Sequence, residues 1–157
     1  MASETIHFKI GLSGTYWDKK PQYAILVDDK EYSNGFISKA SNQIEYIEFD
    51  CEVEEDQSHV LKIRLDNKSI EDTVTDTTDP NNHVIVKDML LNLISIEADD
   101  ISLGNLAQMF GVFKFSEPHD YPTPGSTEIP HCINFGFNGV YELEFSSPFY
   151  LWLLDRI

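Results

Sequence analysis

Basic residues are scarce. Against 27 aspartates and glutamates the 157-residue chain sets only 11 lysines and arginines, a formal net charge of −16. Such a surface repels phosphate backbones and anionic lipid headgroups, which argues against nucleic acid and membrane as partners. Cysteine is nearly absent. Cys51 and Cys132 stand far apart with no Cys-x-x-Cys pairing, so free thiols are expected and a bridge is unsupported. No apolar run reaches the roughly 18–20 residues of a membrane-spanning helix. The opening MASETIHFK has no basic-then-apolar order, so no signal peptide is expected. Helical pattern is missing as well, apart from one short candidate between Gly104 and Phe110.

Motifs of catalysis are missing too. There is no Gly-x-Ser-x-Gly elbow, phosphate-binding loop or dinucleotide fingerprint. Cys51 lies among Asp50, Glu52 and Glu54, neighbours that disfavour a nucleophilic thiolate. His119, His131 and Cys132 lack the spacing of a zinc site. With this many carboxylates, a hydrolytic pair can be drawn anywhere and signifies nothing. The reading is that the chain is not an enzyme.

Period-2 alternation is what the chain has in plenty. Ile6, Phe8, Ile10 and Leu12 share one face of a strand, and Ile47, Phe49, Cys51 and Val53 share one face of another. The intervening Glu48, Asp50, Glu52 and Glu54 make the outer face of the second strand acidic and wet. Leu61, Ile63 and Leu65 repeat the pattern, as do Tyr141, Leu143 and Phe145. Turn residues punctuate these runs, and Asn138-Gly139 predicts a two-residue hairpin between Phe135–Phe137 and Val140–Phe145. The fold class that follows is all-β, an antiparallel β-sandwich or jelly roll with at most one short helix. The length suits one domain, and 41% hydrophobic residues are too many for a disordered chain.

Three stretches interrupt the alternation. Residues 66–88 form a polar insertion between apolar strands. Residues 116–131 hold four of the seven prolines and read as a stiff, extended excursion. The end, PFYLWLLDRI, reads as a strand or short helix buried on both sides, because Trp152 is costly to leave wet. A partner-facing patch is its alternative reading.

Between positions 66 and 100 carboxylates crowd together, Asp66, Glu71, Asp72, Asp76, Asp79 and Asp88 among them, with only Lys68 and Lys87 opposing. A folded loop of this kind is either solvated throughout or neutralised by a hard cation. Oxygen ligands in a flexible loop suit Ca²⁺, with Asn67 and Asn81 able to add carbonyls. The spacing is not that of an EF-hand. Tyr16-Trp17-Asp18 is the second candidate, a loop pair for stacking on a sugar ring or, alternatively, aromatics folded onto the sandwich edge.

Ile63-Arg64-Leu65-Asp66-Asn67, the polar loop, and then Lys87-Asp88-Met89-Leu90 together resemble part of the calcium-dependent xylan-binding carbohydrate-binding modules. In that family an Arg-Phe-Thr-Asn strand end leads into an acidic loop closed by Asp-Arg-Asn-Leu. Gly14-Thr15 and Pro21 to Asp29 are similar to a further stretch of the same pattern. The pieces GTYWDKKPQY, EDTV and VKDMLLNL also look like small virion-associated proteins of marine tailed phages. The likeness covers residues 5–103, leaving 104–157 as a C-terminal extension expected to pack on the same core. By residue, the resemblance makes Asp88 the calcium ligand of the closing motif, Asp72 the earlier ligand and Asn67 the start of the loop. Met89 and Leu90 depart from the family's Arg and Asn.

The resemblance implies a non-catalytic, calcium-dependent module that binds a glycan through an ion held by Asp88, Asp72 and Asn67, while Tyr16, Trp17 and Asp18 are the ligand contacts expected from the loop's own residues. It further implies a place on a phage particle, made in the host cytoplasm, for adhesion to a host glycan. The rival expectation is a virion structural protein that keeps the sandwich, has lost sugar binding, and packs against other virion subunits.

Overall fold

The computed structural model describes residues 2–120 and 122–157. Its strands run β1 (Ser3–Thr15), β2 (Gln22–Val27), β3 (Lys30–Phe36), β4 (Glu45–Glu54), β5 (Ser58–Leu65), β6 (Val74–Asp76) and β7 (Val84–Lys87). They continue with β8 (Leu90–Ala98), β9 (Ile101–Ser102), β10 (Gly111–His119), β11 (Ser126–Pro130), β12 (Asn134–Phe135) and β13 (Gly139–Ser146). One five-stranded sheet has the order β12-β8-β1-β4, with β9 added beside β8, and a six-stranded sheet has the order β11-β10-β13-β5-β2-β3. Neighbours pair antiparallel throughout. The two sheets stack as a sandwich, so the fold class read from the alternation holds.

The alternating positions do what their spacing requires. Ile6, Phe8, Ile10 and Leu12 of β1 are sealed in the core with Cys51 and Val53 of β4. Leu61, Ile63 and Leu65 of β5 meet them from the other sheet, beside Tyr141, Leu143 and Phe145 of β13. Each such side chain contributes about 1.5–3 kcal/mol on burial. One residue slips the pattern: the β1–β8 register shifts between Gly11 and Leu12, and Ile94 is left exposed at the bulge.

Several expectations are corrected. Asn138-Gly139 does not close a hairpin, because β12 pairs with β8 and β13 pairs with β10 and β5, in the other sheet. Within the stretch read as an extended excursion, β11 pairs with β10 at the sheet edge rather than leaving the fold. Among the described residues the α-helices are two rather than at most one: α1 (Leu106–Met109), at the expected place, and α2 (Phe149–Leu154). Helix α2 is buried on one face only. Phe149, Trp152 and Leu153 enter the core while Tyr150, Leu151 and Leu154 are exposed, so the segment is a short helix as read but is not buried on both sides. Both cysteines are free thiols.

Candidate functional site

The polar insertion is more ordered than its composition suggests. It opens with a 3₁₀ turn at Ile70–Asp72 and continues as the β6–β7 hairpin, a separate two-stranded sheet. The turn is closed by Asp72 itself, whose Oδ2 accepts from Ser69 N at 2.8 Å and Ser69 Oγ at 3.0 Å. The bond from Ser69 N is one half of a capping box, whose other half runs from the Asp72 backbone N–H to the Ser69 side chain.

Asn67, Asp72 and Asp88 each hold partners of their own. Asn67 is a staple: its Oδ1 accepts from Gln22 N at 2.9 Å and its Nδ2 donates to Lys20 O at 2.9 Å. Asp72 faces the Lys19 ammonium at 2.8 Å. Asp88 Oδ1 accepts from Lys68 Nζ at 2.6 Å, Thr73 Oγ1 at 2.7 Å and Met89 N at 2.8 Å. Burial works to raise both carboxyls. For Asp72, Lys19 and Ser69 outweigh it; for Asp88, Lys68, Thr73 and Met89 do. Both therefore sit below the ordinary carboxylate value and are ionised.

Lys68 is the residue that sequence reasoning missed. Its backbone is clasped by Asn138, with Lys68 N donating to Asn138 Oδ1 at 2.8 Å and Asn138 Nδ2 donating to Lys68 O at 2.9 Å. Its side chain is only 9% exposed, and the ammonium also donates to Met89 O at 2.6 Å. The available signal was slight: a lone lysine three residues past a strand end, in an acidic stretch.

The aromatic loop divides. Tyr16 is folded in, packed against the core with its hydroxyl donating to Lys39 O at 2.9 Å, so the edge-packing alternative describes it. Trp17 is 45% exposed. Its Nε1 donates to Asp72 O at 3.0 Å and the Lys87 ammonium lies 4.9 Å from its ring centre, which draws the loop and the insertion together. Asp18 is exposed.

Two adjoining clefts open beside the Lys68–Asp88 pair. One, of about 620 Å³, is lined by Asp88, Gln108, His131 and Asn134 together with apolar side chains. The other, of about 650 Å³, is lined by Lys68, Asp66, Glu117 and His119. Thr73, Gly136 and Phe137 belong to both walls. Tyr16, Trp17 and Asp18 line neither.

The donor set does not fit a calcium ion. Calcium takes about six to eight oxygens, yet Asn67 has both ends of its amide committed and each carboxylate already carries an ammonium. Among the described residues no group of three or more His, Cys, Asp or Glu side chains gathers to hold an ion. A divalent ion on Asp88 Oδ1 would lie about 4 Å from Nζ, where even unit charges repel by about 4 kcal/mol at an effective dielectric near 20.

The fold is similar to that of vCBM60 in complex with galactobiose, with a TM-score of 0.51 and 8% identity, over 87% of this chain and 96% of that one. A further vCBM60 structure, described with the circular permutation that links two families of calcium-dependent carbohydrate binding modules, aligns at a TM-score of 0.49 and 7% identity over 88% of this chain and 89% of that one. At such identity the first likeness shows a shared β-sandwich architecture and transfers no residue roles; the second is too slight to add to it. No protein-family model matches the chain, and no curated protein matches it.

Proposed function

We propose that this chain is a non-catalytic carbohydrate-binding module whose glycan lies in the paired clefts around Thr73 and Phe137. The observation that carries this reading is the coincidence of a module-like sandwich with clefts walled by both apolar and hydrogen-bonding groups. Sugars need that mixture, because each ring presents an apolar face and a rim of hydroxyls. In the clefts the apolar side is supplied by Ile85, Leu90 and Phe137, and the polar side by Asp88, Asn134 and Lys68. A xylan-like glycan and a place on a phage particle, made in the host cytoplasm, follow from the sequence resemblance and belong to the proposal in the same sense. Calcium does not, because the residues in place do not suit it.

The test is titration calorimetry of the purified chain with neutral oligosaccharides, galactobiose and xylo-oligosaccharides included. Saturable binding that Asn134→Ala weakens is the expected result. If nothing on a broad neutral panel binds, the reading fails.

A second reading, a virion structural protein without sugar binding, is favoured by one feature. Tyr150, Leu151, Leu154 and Ile157 are 59%, 57%, 44% and 82% exposed at the C-terminal end, more apolar surface than a free-standing chain requires. A stable oligomer indifferent to sugars would support this second reading.

A further inference from the structure

The Lys68–Asp88 pair stands at the meeting line of the two clefts, with Lys68 on one wall and Asp88 on the other. It is a built contact, not a loose surface pair. The Asn138 clasp fixes the lysine backbone, the side chain is 9% exposed against 22% for Asp88, and three donors converge on one carboxylate oxygen. An ammonium has three hydrogens, of which two are spent on Asp88 Oδ1 and Met89 O. Asp88 Oδ2 accepts no hydrogen bond among the described residues. The pair therefore keeps one charged donor and one charged acceptor in reserve within a part-buried contact.

We propose that Lys68 and Asp88 together do the work of a metal centre at this cleft: the remaining Lys68 hydrogen is donated to one hydroxyl of a neutral sugar, Asp88 Oδ2 accepts from the adjacent hydroxyl, and no divalent ion takes part. The hydroxyl contacts rest on the carbohydrate reading above; the exclusion of the ion rests on the Lys68 geometry alone. A hydroxyl both donates and accepts, so neighbouring hydroxyls match the pair in either order. Hydrogen bonds to charged groups are the stronger class, and groups held rigid before binding lose little entropy in making them. Neutral sugars are specified because Asp66 and Glu117 share the cleft with Lys68 and would repel a uronate.

The experiment has two arms. In the first, calcium chloride alone is titrated into the wild-type chain, and thermal unfolding is followed in chelator and in millimolar calcium. No heat of binding and a Tm change below about 1 °C are expected, since an ion that binds the native state must raise Tm by mass action. A calcium-dependent rise in Tm that Asp88→Asn abolishes overturns the proposal. In the second arm, galactobiose and xylobiose are titrated in chelator into wild type, Lys68→Met, Lys68→Arg and Asp88→Asn. Wild type is expected to bind as well as in calcium, Lys68→Met and Asp88→Asn to weaken binding about tenfold or more, and Lys68→Arg to recover part of it. Unchanged affinity in Lys68→Met and Asp88→Asn overturns the hydroxyl contacts. Because Lys68→Met leaves a charge unpaired and can unfold the chain, the double variant Lys68→Met/Asp88→Asn is unfolded alongside. It should lose less stability than the two single changes added together, and strict additivity counts against the pair. Failure of wild type to bind either sugar removes the carbohydrate reading and the hydroxyl contacts with it, while the calcium arm still decides the question of the ion.

Discussion

His59 shows how a single buried polar side chain is paid for in this fold. It is 5% exposed at the start of β5, with Nδ1 bonded to the Asp28 carboxylate and Nε2 2.8 Å from Glu54 O. Both ring nitrogens face acceptors, which suits the doubly protonated ring. Burial pulls its pKa down, but the Glu54 carbonyl and Asp28 outweigh this and the net shift is upward. A histidine raised on folding stabilises the native state fully below its unfolded pKa, about 6.5, and that contribution is lost as pH rises through the folded value. The stability gap between wild type and His59→Gln in urea unfolding should therefore narrow from about pH 5.5 towards pH 8–9. A gap that widens over that range would show a neutral ring. Asn67 carries the second residue-scale prediction. As a backbone staple rather than a metal ligand, Asn67→Ala should cost about 1–3 kcal/mol equally in chelator and in calcium, measured by urea unfolding. At this scale the acidic character of the insertion was legible and what neutralises it was not. Asp72 and Asp88 were singled out by the family resemblance, as metal ligands, whereas Lys19 and Lys68 looked like minority charges until folding placed each within 3 Å of its partner.

Elements were legible wherever one face is buried and the other is wet, because alternation then has a physical cause. β1, β4, β5 and β13 all declare themselves in this way. Pairings set by distant contacts did not. Asn138-Gly139 looks like a hairpin turn, yet its two residues serve two other purposes. Asn138 clasps Lys68, and Gly139 lets β13 press against β10. A Cβ there would lie 2.3 Å from Lys114 O and 2.9 Å from the Phe113 ring. The carbonyl belongs to the ladder and cannot yield without breaking register, so Gly139→Ala should destabilise by about 2–3 kcal/mol or more, read as a lowered urea midpoint with an unchanged slope. Full stability in that variant would mean that the two strands separate easily. The C-terminal helix was ambiguous for a related reason. PFYLWLLDRI is apolar on nearly all sides, and periodicity cannot mark a buried face when both faces are apolar; only the seating of Trp152 against Phe145 and Phe149 does so.

The charge of the whole molecule bears on what it can bind. The outer face of the five-stranded sheet carries Glu48, Asp50, Glu52 and Glu54 along β4, relieved by His7, whose ring bonds Asp50 at 2.7 Å and Glu48 at 3.0 Å. With a net charge of −16, the field reaches about one Debye length, roughly 10 Å at 0.1 M salt. Acidic polysaccharides approaching the clefts meet this field as well as Asp66 and Glu117, whereas neutral glycans feel neither. Binding to an immobilised neutral glycan should thus be nearly independent of sodium chloride from low to physiological concentration, and a polyuronate should not bind at either. A cationic amino-glycan should be retained at low salt and released as salt rises, because that attraction is sequence-independent and screened. The three curves separate a cleft that reads hydroxyls from a surface that merely attracts charge. Tight, salt-resistant binding of the polyuronate would place the recognition elsewhere and leave Lys68 as nothing more than a structural counter-ion to Asp88.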